Sequence, residues 1–281
     1  MTDALVLGGG GVAGIAWITG LLAGLADAGR DVSGARTLVG TSAGATVAAQ
    51  LGSGLPLREL YARQTEPELQ SAEIMADVDL ANFGAGIAEV LQGAASVPEM
   101  RRAVGAYALG AHTVPEAERR RVIEARLPSH DWPASRTVRI VAVDARTGQP
   151  RVFDGSCGVG LVDAVAASCA VPGIWPPVTI DGHRFVDGGV RSAANADYAT
   201  GSSRVLVVVP MGATELFPSE RPLEQAVAVL RAAGAEVAVV GPDEASVTAM
   251  GTNPLDPATR RPAAEAGRAQ GREARIEWSR S

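Results

Sequence analysis

Lysine is absent from this sequence, since all 25 basic residues among 281 are arginine. That removes Ser–Lys dyads, Schiff-base lysines and the phosphate-binding lysine of P-loops. Histidine is scarce, represented by His112, His130 and His183 alone, and the two cysteines, Cys157 and Cys169, are too few for a disulfide scaffold or a Cys-rich metal site. Neither a metal nor an organic cofactor is expected, because no recognisable ligand cluster is present. The sparse cysteine fits a reducing compartment, so a cytoplasmic location is expected. Positive charge is in deficit as well: a net charge of −6 leaves no sign of the basic face a nucleic-acid binder needs.

Charge of either sign is missing between Asp3 and Asp27, a stretch long enough to raise the question of a membrane span. It contains seven glycines, four of them consecutive from Gly8 to Gly11, which reads better as a buried strand, a loop and a helix. No basic segment precedes the first strand, so a cleaved leader is not expected.

What is present is the composition of an ordinary globular protein, 47% hydrophobic and 20% charged, with a length that suits a single domain over residues 1–281. Ala4 to Leu7 reads as a strand and Gly14 to Ala28 as a helix. Arg36 to Val39 and Ala43 to Leu51 repeat that plan, and Leu57 to Gln64 adds a helix. From Thr65 to Ser135 the chain is richer in helix formers and suggests a helical insertion, with helices near 87–91, 98–109 and 115–127. Strand signals return at 138–143, 178–180, 184–186, 205–209 and 237–240, with Asp181-Gly182 marking a hairpin. Pro257 to Arg275 reads as a polar surface helix. Apolar strands alternating with helices predict an α/β sandwich around a largely parallel sheet.

Three short motifs carry chemistry. Gly40-Thr41-Ser42-Ala43-Gly44 has the nucleophile-elbow pattern, in which small neighbours let a serine occupy a strained turn between strand and helix. Gly9-Gly10-Gly11-Val12-Ala13-Gly14 contains GxGxxG between a strand and a helix, which a dinucleotide-binding fold would also show. That reading expects an acidic residue at the end of the second strand, where Val39 is instead followed by Gly-Thr-Ser. The loop can also offer backbone N–H groups to a developing oxyanion. The third motif is Asp187-Gly188-Gly189, by default a turn. All three histidines precede Asp187, whereas the Ser, acid, His chain order of α/β-hydrolases needs one after it. With lysine also absent, a Ser42–Asp187 dyad is the economical choice, and His183 is the rival base.

Taken in order, Gly9 to Gly14, Gly40 to Gly44 and Asp187 to Gly189 resemble the patatin-like phospholipase family, as does the stretch Ala167-Ser168-Cys169-Ala170-Val171-Pro172-Gly173-Ile174-Trp175-Pro176-Pro177-Val178. The resemblance spans about residues 4–210. It implies a three-layer α/β/α fold and metal-free hydrolysis of lipid acyl esters. Carried over, Ser42 is the nucleophile and Asp187 the proton acceptor, and the N–H groups of Gly9, Gly10, Gly11 and Ala43 supply the oxyanion hole. Gly14, Gly40, Gly44, Gly188 and Gly189 complete the motifs. The partners implied are an acyl-ester lipid and, transiently, a membrane surface. A patatin-fold acyl-transfer or regulatory protein is the alternative. One position departs from the pattern: Ala13 stands where the family usually carries arginine or lysine, with Arg184 and Arg191 as candidate replacements. Trp17 and Trp175 read as core or rim aromatics, Cys169 as a buried filler, and Arg119 to Arg121, alternating with glutamates, as a solvated helix face.

Overall fold

A computed structural model describes residues 3–75, 80–213 and 215–278. Eight strands form one sheet: β1 (Ala4–Leu7), β2 (Thr37–Gly40), β3 (Thr137–Asp144), β4 (Pro150–Phe153), β5 (Val178–Ile180), β6 (His183–Asp187), β7 (Arg204–Val208) and β8 (Glu236–Val240). Their order is β5-β6-β3-β2-β1-β7-β8, with β4 also paired to β3. The run from β3 through β2, β1 and β7 to β8 is parallel, and β4, β5 and β6 add antiparallel pairs at one side.

Period-two alternation divides each central strand between two cores. Leu5 and Leu7 of β1 face one, Ala4 and Val6 the other. The first face is covered by α1 (Gly11–Asp27) and α2 (Ala43–Gly52), with contributions from α3 (Leu57–Thr65). The second is covered by α4 (Leu80–Gln92), α5 (Val97–Gly110) and, beyond α6 (Glu116–Arg126) and α7 (Leu161–Ser168), by α8 (Leu223–Ala232). α7 and the last helix, α10 (Arg260–Glu273), which follows α9 (Glu244–Met250), return to the first face. The fold is therefore the three-layer α/β/α arrangement with a largely parallel sheet.

One element differs from expectation and another adds to it. α1 begins at Gly11 rather than Gly14, so the glycine loop is itself the start of the helix. α10 lies at the surface as expected, with Arg261, Glu265 and Arg272 exposed, but its other face is closed: Ala263, Ala264, Gly267 and Gly271 are buried against α1. Glycines on both helices make this possible. A Cβ on Gly267 would press on Leu21 N at 3.1 Å, and one on Gly20 would land on the Ala264 carbonyl. Trp17 seals the joint, its Nε1–H donating to Gln270 Oε1 at 3.0 Å. β4, α7, α8 and α9 had no clear signal in the sequence.

Candidate active site

The site forms where β1 and β2 end side by side. Their parallel register pairs Leu7 with Gly40, which brings the loop after one strand against the turn after the other. Thr41 N–H donates to the Leu7 carbonyl (3.0 Å) and Gly44 N–H to the Gly8 carbonyl (3.0 Å), locking loop and elbow together. A Cβ at Gly44 would land on the Leu7 carbonyl, and one at Gly40 would lie 2.5 Å from Ala45 Cα. Both positions are therefore closed to any side chain.

Ser42 occupies the turn with φ 54° and ψ −114°, a conformation that costs a non-glycine residue about 1–3 kcal/mol. The strain is held by hydrogen bonds. Ser42 N–H donates to Ser168 Oγ (2.9 Å), which itself donates to the Val141 carbonyl (2.6 Å). Cys169 Sγ lies 3.2 Å from the Ser42 carbonyl oxygen. Cys169 is buried, as expected, and burial pushes its thiol up to about 11.

Asp187 ends β6 opposite Ala142 of β3 and is 5% exposed. Gly189 N–H donates to its Oδ1 at 2.7 Å, while Oδ2 has no hydrogen-bond partner of regular geometry among the described residues. Burial raises its pKa to about 7, against the opposing effect of the Gly189 N–H and of the nearby Ser42 hydroxyl. Gly188 is required because a Cβ there would strike the Val141 carbonyl.

Four N–H groups of the expected oxyanion hole divide three to one. Those of Gly10, Gly11 and Ala43 have no acceptor among the described residues, being orphan donors at the starts of α1 and α2. Gly9 is the exception, because its N–H donates to the Ala193 carbonyl at 2.9 Å and is not free. Gly14 packs against Pro210 and Ala43.

Ser42, Asp187 and Gly9 to Gly11 all line one cavity of about 300 Å³. Its remaining walls are mostly apolar, including Val171, Ile174, Val190, Phe217 and Leu255, and Asp187 is the single ionisable group among the described residues that line it. At the rim, Met211 and Leu216 are more than half exposed (54% and 59%). His183 does not line this cavity; it is exposed and its Nδ1 pairs with Asp144 Oδ2 at 2.8 Å.

Neither arginine proposed to replace the cation missing at Ala13 reaches the cavity. Arg184 bonds the Pro177 carbonyl (2.8 Å), and Arg191 is held by Asp197 (2.9 and 2.7 Å) and Asn195 (2.7 Å). A cation that lines a small recess together with Ser42 is one read from the sequence as solvated. Arg119 is 6% exposed, buried like Ile123 and Arg126 on one face of α6, with its guanidinium carbon 3.7 Å from the centre of the Trp175 ring. The i, i+4, i+7 spacing of these three residues was the available signal. Two further residues were missed. Ser168 fixes the elbow, and buried Asn195, in the left-handed conformation, donates to Thr41 Oγ1 (3.0 Å), the Gly188 carbonyl (3.1 Å) and the Ser192 carbonyl (2.8 Å), tying elbow to aspartate turn.

The chain belongs to the patatin-like phospholipase family, whose profile matches residues 5–200. It is thereby a member of a family of lipid ester hydrolases. No curated protein matches it in sequence. Among solved structures, it is similar to VipD from Legionella pneumophila, with 13% identity and a TM-score of 0.44 over 97% of this chain and 66% of that one. It is also similar to the type III effector protein ExoU, with 19% identity and a TM-score of 0.41 over 99% of this chain and 55% of that one. The complex of SpcU with ExoU from Pseudomonas aeruginosa gives 17% identity and a TM-score of 0.38 over 97% and 53%. The chain thus spans two thirds or less of the length of these proteins. Among the described residues, no helix is long and apolar enough to cross a membrane.

Proposed function

We propose that this protein hydrolyses carboxylic esters of lipids with Ser42 as nucleophile and Asp187 as general base. The observation that carries this reading is the convergence of a strained serine, a buried carboxylate and three unpartnered N–H groups near one apolar cavity. In it, the acyl chain lies along Val171, Ile174 and Phe217, leaving the ester carbonyl beside Ser42. Asp187 takes the hydroxyl proton as Ser42 Oγ attacks, and the carbonyl oxygen, now negative, is held by the N–H groups of Gly10, Gly11 and Ala43. Collapse returns the proton to the leaving alcohol and leaves an acyl-serine. Water, deprotonated by Asp187, then attacks the acyl group and releases the fatty acid and free Ser42. Metal and histidine have no role in this scheme.

Labelling with a fluorophosphonate, followed by mass spectrometry, should place the adduct on Ser42. Incubation with a lipid ester and an added alcohol should yield mainly free acid. Labelling elsewhere removes Ser42 from the scheme, and predominant transfer to the alcohol makes the protein an acyltransferase.

A further inference from the structure

Beside the elbow lies a second, smaller recess lined by Gly11, Ser42, Ala43, Arg119, Cys169 and Trp175 among others, of about 20 Å³. A volume of that size admits about one water-sized group. It shares Gly11, Ser42, Val171 and Leu255 with the apolar cavity, so the two meet at the nucleophile.

Among the described residues, cations outnumber anions in and behind its inner wall. Arg119, Arg126 and Arg260 are each buried (6%, 6% and 5% exposed) around one carboxylate, Glu73. Arg126 donates to both Glu73 oxygens (2.9 and 2.6 Å) and Arg260 to Oε1 (2.7 Å), so that carboxylate is already committed. Arg119 Nη1 stands 3.8 Å from Glu73 Oε2, beyond hydrogen-bond distance, and neither it nor Nε has a hydrogen-bond partner among the described residues. Burial and the neighbouring Arg126 push Arg119 down to about 9, which still leaves it cationic at neutral pH. The Trp175 face offsets part of the charge, but the indole, a donor only, supplies no oxygen or nitrogen acceptor. A desolvated guanidinium with empty donors is unfavourable unless an anion completes it.

We infer that Arg119 is an anion subsite beside Ser42, placed to take a phosphate oxygen on the alcohol half of the ester substrate. The inference rests on the hydrolase reading above for the substrate, but the subsite itself rests on the recess and its unfilled donors. The apolar cavity suits the acyl chain, so an anion reaching Arg119 belongs to the other half of the ester. Phosphate is the commonest group through which the alcohol half of a lipid carries negative charge, and one of its oxygens fits the recess while Arg126 and Arg260 keep Glu73.

The test compares a short-chain 1-acylglycerol 3-phosphate with the 1-acylglycerol of the same chain, both below their aggregation concentrations. Wild type is expected to favour the phosphate-bearing ester in kcat/KM. In Arg119→Met the preference should fall about 10- to 100-fold, mainly through KM, as loss of a charge-assisted hydrogen bond implies. Arg119→Lys should retain part of it. A wild-type ratio near one, or a loss shared equally by both esters in Arg119→Met, overturns the assignment. If the Met variant does not fold, the Lys variant and the wild-type ratio decide. Calorimetry with glycerol 3-phosphate and with inorganic phosphate provides a readout independent of turnover. Equal affinity for inorganic phosphate without preference between the esters would make this a free-phosphate site and overturn the substrate assignment. If Ser42 takes no fluorophosphonate and neither ester is cleaved, the hydrolase reading fails alone, and glycerol 3-phosphate binding that disappears in Arg119→Met still upholds the subsite.

Discussion

Ser42 and Asp187 have opposite physical problems. The serine is strained in its backbone, and the carboxylate is starved of solvent. Ser42→Ala should leave the fold intact and lower turnover by about 10⁶, as removal of a nucleophile does in related serine enzymes; activity above a few per cent in pure mutant protein would contradict the mechanism. For Asp187, the catalytic form is the anion, and burial holds its pKa near 7. Activity on a neutral ester should therefore fall as pH drops through about 7, with no acid limb near 4, and His183→Gln should leave the limb in place. Stability has the reverse sign. A folded pKa of about 7 against an ordinary 3.8 favours the protonated fold, a contribution fully present below about 4 and lost as pH rises through about 7. Asp187→Asn should therefore raise the melting temperature more at pH 8 than at pH 4, by up to about 4 kcal/mol in stability. An equal gain at both pH values would mean that the carboxylate is not desolvated.

At the scale of elements, the loop between β1 and α1 carries the most exacting geometry. A Cβ on Gly10 would lie 2.7 Å from Pro210 Cβ, and Gly11 has φ 62° with Pro254 O only 2.5 Å from its would-be Cβ. Gly10→Val should displace the loop and cost about 10²–10³ in kcat, the loss expected for one oxyanion donor, while thermal unfolding shows the fold retained. Full activity would remove the loop from the mechanism. These elements were legible in the sequence because β1 and β2 are continuous apolar runs closed by glycine motifs that punctuate them. The motif residues were legible for the same reason, since their chemistry is local. β4 and α7 were not, being short and lacking clear periodicity over a full window. Arg119, Ser168 and Asn195 were not either, because their roles depend on partners 27 to 154 positions away or on which helix face turns inward. Gly9 was misassigned because only the fold reveals that the Ala193 carbonyl claims its N–H.

The whole molecule ties its C-terminal helix to this chemistry. α10 lies across α1 through Gly20, Gly24, Gly267 and Gly271, so closely that added Cβ atoms would meet backbone. The same helix carries Arg260, which holds Glu73, and the segment before it supplies Pro254, whose carbonyl accepts Ala13 N–H (3.0 Å), and Leu255, a wall of the cavity. A side chain that forces α10 outward must therefore disturb both stability and the oxyanion loop. Gly267→Leu should destabilise the fold by about 3 kcal/mol or more, because the backbones cannot absorb the added volume without separating. It should also slow fluorophosphonate labelling of Ser42 at temperatures where the protein is still folded. As a control, Gly34→Ala meets nothing within 4 Å and should leave the labelling rate and the melting temperature near wild type. If Gly267→Leu lowered the melting temperature but labelled at the wild-type rate, α10 would be a structural brace without influence on the site. If it changed neither, the close packing of α1 and α10 would itself be wrong.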